Sequence, residues 1–349
     1  MQAEWAVRPL RRGPPALMLQ ASRRGRCPAH RARAASPAGA AAGGAEQPLR
    51  EWLAREGGLL HPALRLVDDA PCGSRGVVAA QAVSLDDLEA AGPLVVVPKD
   101  LHLENTTALR LLESWAGAAA AEDLAARMSS AMLVAVALAH EAALGPASRW
   151  APYLASLPAQ PPGPWLLPSD AVAAAAEAAL ARRPPNGGSG GGEADSVAAW
   201  VAAAAEYRRG VDEEVAAAAA VLAGAAAAAE AARARGGGGG WLDAGLLTWA
   251  LGHVESRSLG TAGSSGLVPV IDLLNHSPAA RPPMLQLDDA DRLVVTVLPT
   301  AAGAAAPLPP GGELLISYGR RAPLEGWLKF GFVSDEWWRE EEEEGGGAR

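Results

Sequence analysis

Three short blocks hold the residue types that could do chemistry. The first is Cys72-Gly73-Ser74-Arg75-Gly76-Val77-Val78-Ala79, a turn feeding a strand. The second pairs Val254-Glu255-Ser256-Arg257-Ser258 with Leu267-Val268-Pro269-Val270-Ile271-Asp272-Leu273-Leu274-Asn275-His276-Ser277. The third is Gly312-Glu313-Leu314-Leu315-Ile316-Ser317-Tyr318-Gly319, followed by Phe330-Gly331-Phe332. Asp272 and Asn275 interrupt a run that is otherwise apolar. A buried polar group costs about 1–3 kcal/mol unless it is partnered, so both require neighbouring backbone or a bound ligand. Asn275 carries two amide donors and an acceptor, which suits an adenine edge or an ammonium group. Tyrosine is scarce, at positions 153, 207 and 318 only, and Tyr318 ends a strand just before a glycine, where a hydroxyl can face a cleft. Each block also has a structural account. The first is a hairpin connection; Arg257 meets the dipole at a helix C-terminus; Asp272 is a turn former; Asn275-His276 is a polar turn before Pro278; Tyr318 is a strand core residue.

Other chemistries lack their signatures. There is no GxxxxGK[ST] loop, no GxGxxG fingerprint in a strand–turn–helix context, no CxxC, no HExxH and no GxSxG. The six histidines are scattered, so no metal site is expected. Two cysteines, Cys27 and Cys72, cannot build a disulfide framework. Residues 1–45 hold eight Arg against the single acid Glu4, a surplus of seven positive charges, and with the whole chain at −9 the remainder stands at −16. A body that acidic, with only Lys99 and Lys329 as lysines, is not expected to bind nucleic acid. No membrane span is expected. Uncharged tracts such as 215–229 are mostly Ala, and the most apolar stretch, 132–140, has the length of a buried core helix. The basic, acid-poor residues 1–45 lack a long apolar run and read as an organellar transit peptide, cleaved between Ala34 and Glu46. The chloroplast is the expected destination. With only Ser22 and Ser36 in that segment, the mitochondrion is the alternative.

The elements that must position these blocks follow from period and punctuation. Residues 48–58 read as a short helix with Leu49, Trp52 and Leu53 on one side, ended by Gly57-Gly58. LRLVDD, GVVAAQAV and GPLVVVP read as strands, the last two joined by an acidic connector. An Ala-rich block follows, with helices expected over 107–121, 122–145, 169–183, 195–232 and 241–252, and loops at the Gly-rich breaks 186–192 and 236–240. Strands return at GLVPVIDLL, MLQLDD, DRLVVTVLP and GELLISYG, with a Pro/Ala/Gly stretch over 299–312. Strands, a long helical block, then strands again imply an α+β fold in which a helical insertion interrupts one sheet domain. The expected division is a core over 46–105 and 246–335, an insertion over 106–245, and an acidic, glycine-rich tail over 336–349.

TWALGHVESRS, LVPVIDLLNHS and ISYG, in that order, resemble the SET-domain methyltransferases, specifically the branch similar to the Rubisco large-subunit lysine methyltransferase. That branch carries W-A-x3-V-x-S-R, L-V-P-x2-D-x2-N-H-S and I-x-Y-G around a helical insertion. Trp150-Ala151-Pro152-Tyr153-Leu154-Ala155-Ser156-Leu157-Pro158 looks like the insertion's W-x-x-Y-x3-L-P signature. The resemblance covers residues 48–335. It implies a core of small sheets with a pseudoknot-like closure, S-adenosyl-L-methionine as cofactor, and methyl transfer to a lysine of a plastid protein, such as the Rubisco large subunit or an aldolase. The oligomeric state cannot be read from the sequence, and a monomer is the default. A histidine acceptor is the alternative within the chemistry, and an inactive SET-like scaffold is the alternative outside it.

Carried onto matching positions, the resemblance places Gly73, Ser74 and Arg75 along the cofactor through their backbone. Arg257 meets the methionine carboxylate, Asn275 and His276 hold the ammonium and adenine, and Phe332 packs near the adenine ring. Asp272 and Phe330 face the substrate, and Tyr318 is the catalytic tyrosine. The chain departs from the family at Thr261, where an Arg is usual, at Pro323, where an Asn is usual, and at Phe330, where a Tyr is usual. The hydroxyl missing at Phe330 leaves room in the channel and favours higher methylation. Family members continue into a helical substrate-docking domain, whereas here WWREEEEEGGGAR follows the last block.

Overall fold

The computed structural model describes residues 42–82, 93–183, 196–233, 243–261, 264–277, 284–289, 292–296 and 308–339. The expected transit peptide (its last four residues apart), the acidic connector, both Gly-rich breaks, most of the stretch 299–312 and the tail from 340 lie outside the described residues.

The chain enters through helix α1 (Ala42–Arg55), which buries Leu49, Trp52 and Leu53 as the spacing requires. Strands β1 (Leu59–Leu60), β2 (Leu64–Val67), β3 (Gly76–Ala79) and β4 (Val95–Val97) follow, then β5 (Leu103–Glu104). β2 pairs antiparallel with β3, so residues 68–75 form the connection of a hairpin. All four residues of β3 are buried, which explains its unbroken Gly-Val-Val-Ala apolar run.

The helical block comprises α2 (Asn105–Ala116), α3 (Ala118–Ala126), α4 (Ser130–Leu144), α5 (Ala151–Ser156), α6 (Ser169–Leu180), α7 (Val197–Arg233) and α8 (Ala244–Arg257), the last lying almost wholly in the stretch expected as the second part of the core. Alanine favours helix everywhere, so the breaks are set by other residues. Gly117, at φ 81°, separates α2 from α3. Ser129 accepts a hydrogen bond from the Met132 N–H (3.0 Å) and starts α4. The tracts expected over 107–121 and 122–145 therefore divide at 117 and again at 127–129. The last tract runs on to Arg257, five residues beyond its expected end. The segment Ser130–Ala147 is apolar enough and long enough to cross a membrane by length and composition. In the fold, Met132 to Ala139 are all buried within the core, so their apolar surface is covered by the rest of the chain.

After α8 come β6 (Leu259–Thr261), β7 (Ser264–Leu267), β8 (Asn275–His276), β9 (Met284–Leu287), β10 (Leu293–Thr296), β11 (Leu315–Ile316) and α9 (Pro323–Phe330). The two ends of the chain share their sheets. One sheet has the order β1-β4-β10-β9, another the order β5-β7-β6. β3 is joined to 311–314 by the Ala79 N–H on the Gly312 carbonyl (2.8 Å), the Gly311 N–H on Ala79 (2.7 Å) and the Leu314 N–H on Val77 (2.8 Å). β8 and β11 pair in parallel, with Asn275 opposite Leu315 and His276 opposite Ile316. The architecture is α+β, with small separate sheets interrupted by helices, as expected from the sequence.

Two expected strands are corrected. GELLISYG keeps only Leu315–Ile316 as strand, so Tyr318 lies two residues beyond its end. GLVPVIDLL is not continuous: only its first two residues belong to β7, Ile271–Leu273 form a single 3-10 turn, and β8 begins at Asn275. Pro269 has no N–H for a ladder, and Val270 adopts φ 71°. A β-branched residue in that region carries roughly 1–3 kcal/mol of strain. The kink turns Asp272 inward, with its N–H bonded to the Val268 carbonyl (3.0 Å).

Candidate active site

Arg257 is the last residue of α8, so its helical position is the structural one the sequence allowed, yet its side chain goes further. Its Nη1 donates to the backbone carbonyl of Asp272 (2.9 Å), while its Nε is buried without a partner. Asp272 itself is 4% exposed. One carboxylate oxygen, Oδ2, accepts the hydroxyl of Tyr153 from α5, and the other, Oδ1, is buried without a partner. Burial pushes the Asp272 carboxyl up to about 7, against the opposing pull of Arg257 and the Tyr153 hydroxyl.

The Tyr318 hydroxyl donates to the Leu274 carbonyl (2.9 Å), and the Tyr318 N–H donates to His276 Nδ1 (3.0 Å). Burial pushes the phenol up to about 12, so it stays protonated. Burial likewise pushes the His276 imidazole down to about 4, so it is neutral, and its accepting Nδ1 places the ring proton on Nε2. The Tyr318 ring lies 4.9 Å from Phe330 and 5.2 Å from His276, and His276 stacks on Trp337 at 5.0 Å. Phe332 stacks in the same group, 5.4 Å from Trp337. The result is an aromatic wall with one phenol in it.

Arg257, Asp272, Tyr318 and Phe330 line one cleft, together with Ser256 and Arg321. The cavity among them is small, about 30 Å³. The Nε of Arg321 is also buried and unpartnered, although its Nη1 reaches Glu325 (3.2 Å). Two guanidinium groups and a carboxylate that line one cleft thus each hold a buried, unpartnered polar atom. Such atoms cost free energy unless a polar ligand satisfies them. A ligand bearing a carboxylate and an amine fits that set.

Gly73, Ser74, Arg75 and Asn275 form a second, adjoining cluster. Gly73 takes φ 80°, the backbone that favours glycine in the turn. The amide of Asn275 is fully committed within the protein. Its Nδ2 donates to Glu313 Oε1 (2.6 Å) and to the Arg75 carbonyl (3.1 Å), and its Oδ1 accepts from Ser74 Oγ (3.1 Å). Both amide donors of Asn275 are therefore taken up within the protein, and its side chain is not free to donate to a cofactor. The Arg75 side chain is committed as well, to Asp68 (2.9 Å) and to the carbonyls of Ser156 (2.6 Å) and Leu157 (3.1 Å), tying the hairpin to the insertion. Glu313 completes the cluster: its Oε2 accepts the Cys72 N–H (2.9 Å). Burial raises the Glu313 carboxyl, offset by these two donors.

Gly76 passes under this cluster. A Cβ there would lie 2.6 Å from Glu313 Oε1 and 2.7 Å from Asn275 Nδ2. Gly76→Ala is expected to destabilise the chain by about 1–3 kcal/mol through overpacking, read as a lowered thermal midpoint.

Tyr153, Glu313, Arg321 and Trp337 are the site residues that sequence reasoning did not assign. The scarcity of tyrosine could have flagged Tyr153, and its place in the W-x-x-Y segment another signal. Glu313 stands in the third block without an assigned role, and nothing in the sequence marks Arg321. Among the described residues, no group of three or more His, Cys, Asp or Glu is placed to hold a metal ion.

No family model matches the chain, and no curated protein matches it. Solved structures do. A Rubisco LSMT bound to AdoMet is similar at 16% identity and a TM-score of 0.55, over 83% of this chain and 56% of that one. The SET domain of LSMT bound to lysine and AdoHcy is similar at 15% identity and a TM-score of 0.56, over 82% and 56%. The fold is that of the SET domain. The chain spans little more than half the length of these matched chains.

Proposed function

We propose that the chain is an S-adenosylmethionine-dependent protein N-methyltransferase acting on a lysine, with a plastid protein as its target. The observation that carries this reading is the cleft itself: the half-buried Tyr318 phenol beside the Arg257 guanidinium and the Asp272 carboxylate, in a SET-domain fold. The similar structures were solved with AdoMet or AdoHcy and with lysine or monomethyllysine, which supports the same cofactor and acceptor class here.

When bound, the cofactor supplies an electrophilic methyl on a sulfonium. The chain's own work is alignment and desolvation. Arg257, with its free Nε, is suited to the cofactor carboxylate through a charge-assisted pair. The backbone of Gly73–Arg75 and of Asn275-His276 would flank the cofactor, and Phe332 would cover its ring. Tyr318 is held in one rotamer by Leu274 and His276, so its hydroxyl orients the reacting groups at no cost in reorganisation. Alignment of this kind can be worth about 7–11 kcal/mol. The apolar wall of Phe330 and Ile316 excludes water, which lowers the pKa of an entering amine and favours its neutral, nucleophilic form. A lysine fits better than a histidine because a primary ammonium can be drawn to the Asp272 carboxylate, although it must then lose its proton before it can attack.

Titration calorimetry with S-adenosylmethionine tests the reading. Saturable one-to-one binding is expected, weakened about tenfold or more in Arg257→Ala as a charged hydrogen bond is lost. No heat with the folded chain would contradict it.

A further inference from the structure

Tyr153 is used by none of the steps above. It stands in the helical insertion, 0% exposed, and its hydroxyl reaches Asp272, 119 positions along the chain. The segment that carries it is braced from several sides. Arg75 binds the Ser156 and Leu157 carbonyls, Trp150 Nε1 donates to the Leu101 carbonyl (3.0 Å), and Trp249 Nε1 donates to the Ala159 carbonyl (3.1 Å). Tyr153 is thus a fixed donor, and burial together with Asp272 holds its own pKa well above the ordinary value. It occupies Oδ2, while Oδ1 is buried and unsatisfied in a residue that lines the cleft.

Resting on the methyltransferase reading, we propose that Tyr153 is a positioning residue for the acceptor side chain: it clamps Oδ2 of Asp272 so that Oδ1 meets a primary ammonium entering the cleft. The charged and titratable groups facing Asp272 are Tyr153 from α5, Arg257 from α8 and Tyr318 beyond β11. Arg257 spends its hydrogen bond on the Asp272 backbone and not on the carboxylate. Tyr153 is therefore the side chain that hydrogen-bonds the ionised carboxylate directly. Burial holds the Asp272 carboxyl near 7, and the Tyr153 bond acts against that rise. Above this value the carboxylate is charged and attracts the ammonium; below it the attraction is lost. Removing the Tyr153 hydroxyl moves the transition to higher pH.

The test is a carboxyl titration by NMR on the full chain labelled with ¹³C at the aspartate side chains, the Asp272 signal being the one absent in Asp272→Asn. The Asp272 midpoint is expected to rise by about one unit in Tyr153→Phe; coincident midpoints in the two proteins would overturn the proposal. If Tyr153→Phe does not fold, the unaltered chain serves. With ¹³C-labelled tyrosine, the Tyr153 ring signal should follow the Asp272 midpoint, and a flat signal across it would overturn the proposal. n-Butylammonium should lower the Asp272 midpoint, whereas n-butanol should not; equal effects, or none, would remove the ammonium assignment. None of these readouts requires methyl transfer. Failure of the cofactor calorimetry would sink the methyltransferase reading, while failure here would sink only the role of Tyr153.

Discussion

Tyr318→Phe is expected to cut turnover by about 10²–10³-fold, the usual scale for removing one preorganised donor at a reacting centre, while S-adenosylmethionine still binds. The basis is the geometry of the phenol. Its hydroxyl donates to the Leu274 carbonyl and its own N–H holds His276 Nδ1, so the ring is fixed from both ends and a phenylalanine can occupy the same place between Phe330 and His276. The aromatic wall survives and only the hydroxyl is lost. One buried carbonyl is left without its partner, at a cost of about 1–3 kcal/mol, so the thermal midpoint should fall by only a few degrees. A calorimetric titration beside single-turnover kinetics separates the outcomes. Retained binding with lost transfer assigns Tyr318 to the reaction; unchanged turnover would remove it.

Asn275→Ala should act in the opposite sense and abolish measurable cofactor binding. Its amide joins three parts of the chain: Ser74 and Arg75 from the first hairpin, and Glu313 beside the last strand. Truncation leaves the Glu313 carboxylate, 8% exposed, with only the Cys72 N–H. A buried charge stripped of one of its two donors is costly, and a loss of about 2–4 kcal/mol in stability is expected. The turn containing Gly73 then loses its anchor, and the two halves of the closure come apart at the place where the cofactor would lie. Calorimetry together with a denaturant titration checks both parts. Normal affinity in a protein of undiminished stability would show that the cluster is not part of the site.

These two residues also show what could be read in the sequence. Asp272 and Asn275 stood out as polar groups in an apolar run that needed partners, and both have them. The partners were not legible. Tyr153 lies 119 positions away and Glu313 lies 38 away, and no local pattern encodes such distances. The strands at β3, β4 and β10 followed from β-branched runs, and those at β2 and β9 from leucines alternating with polar residues. GLVPVIDLL misled for the same reason, because an apolar run alone does not reveal that Val270 takes a positive φ. Within the insertion, alanine gives every position similar helix propensity, so boundaries depend on single residues such as Gly117 and Ser129. The cleft belongs to neither level: it exists because β8 and β11 pair in parallel from opposite sides of a long intervening segment.

The most direct measurement of the central claim is transfer of tritiated methyl from S-adenosylmethionine into a plastid extract by the purified chain, with Tyr318→Phe alongside. The expected result is a labelled protein whose methyl groups mass spectrometry assigns to a lysine side chain, with the label all but absent for the variant. No label from a chain that binds the cofactor, or equal label from both proteins, would contradict it.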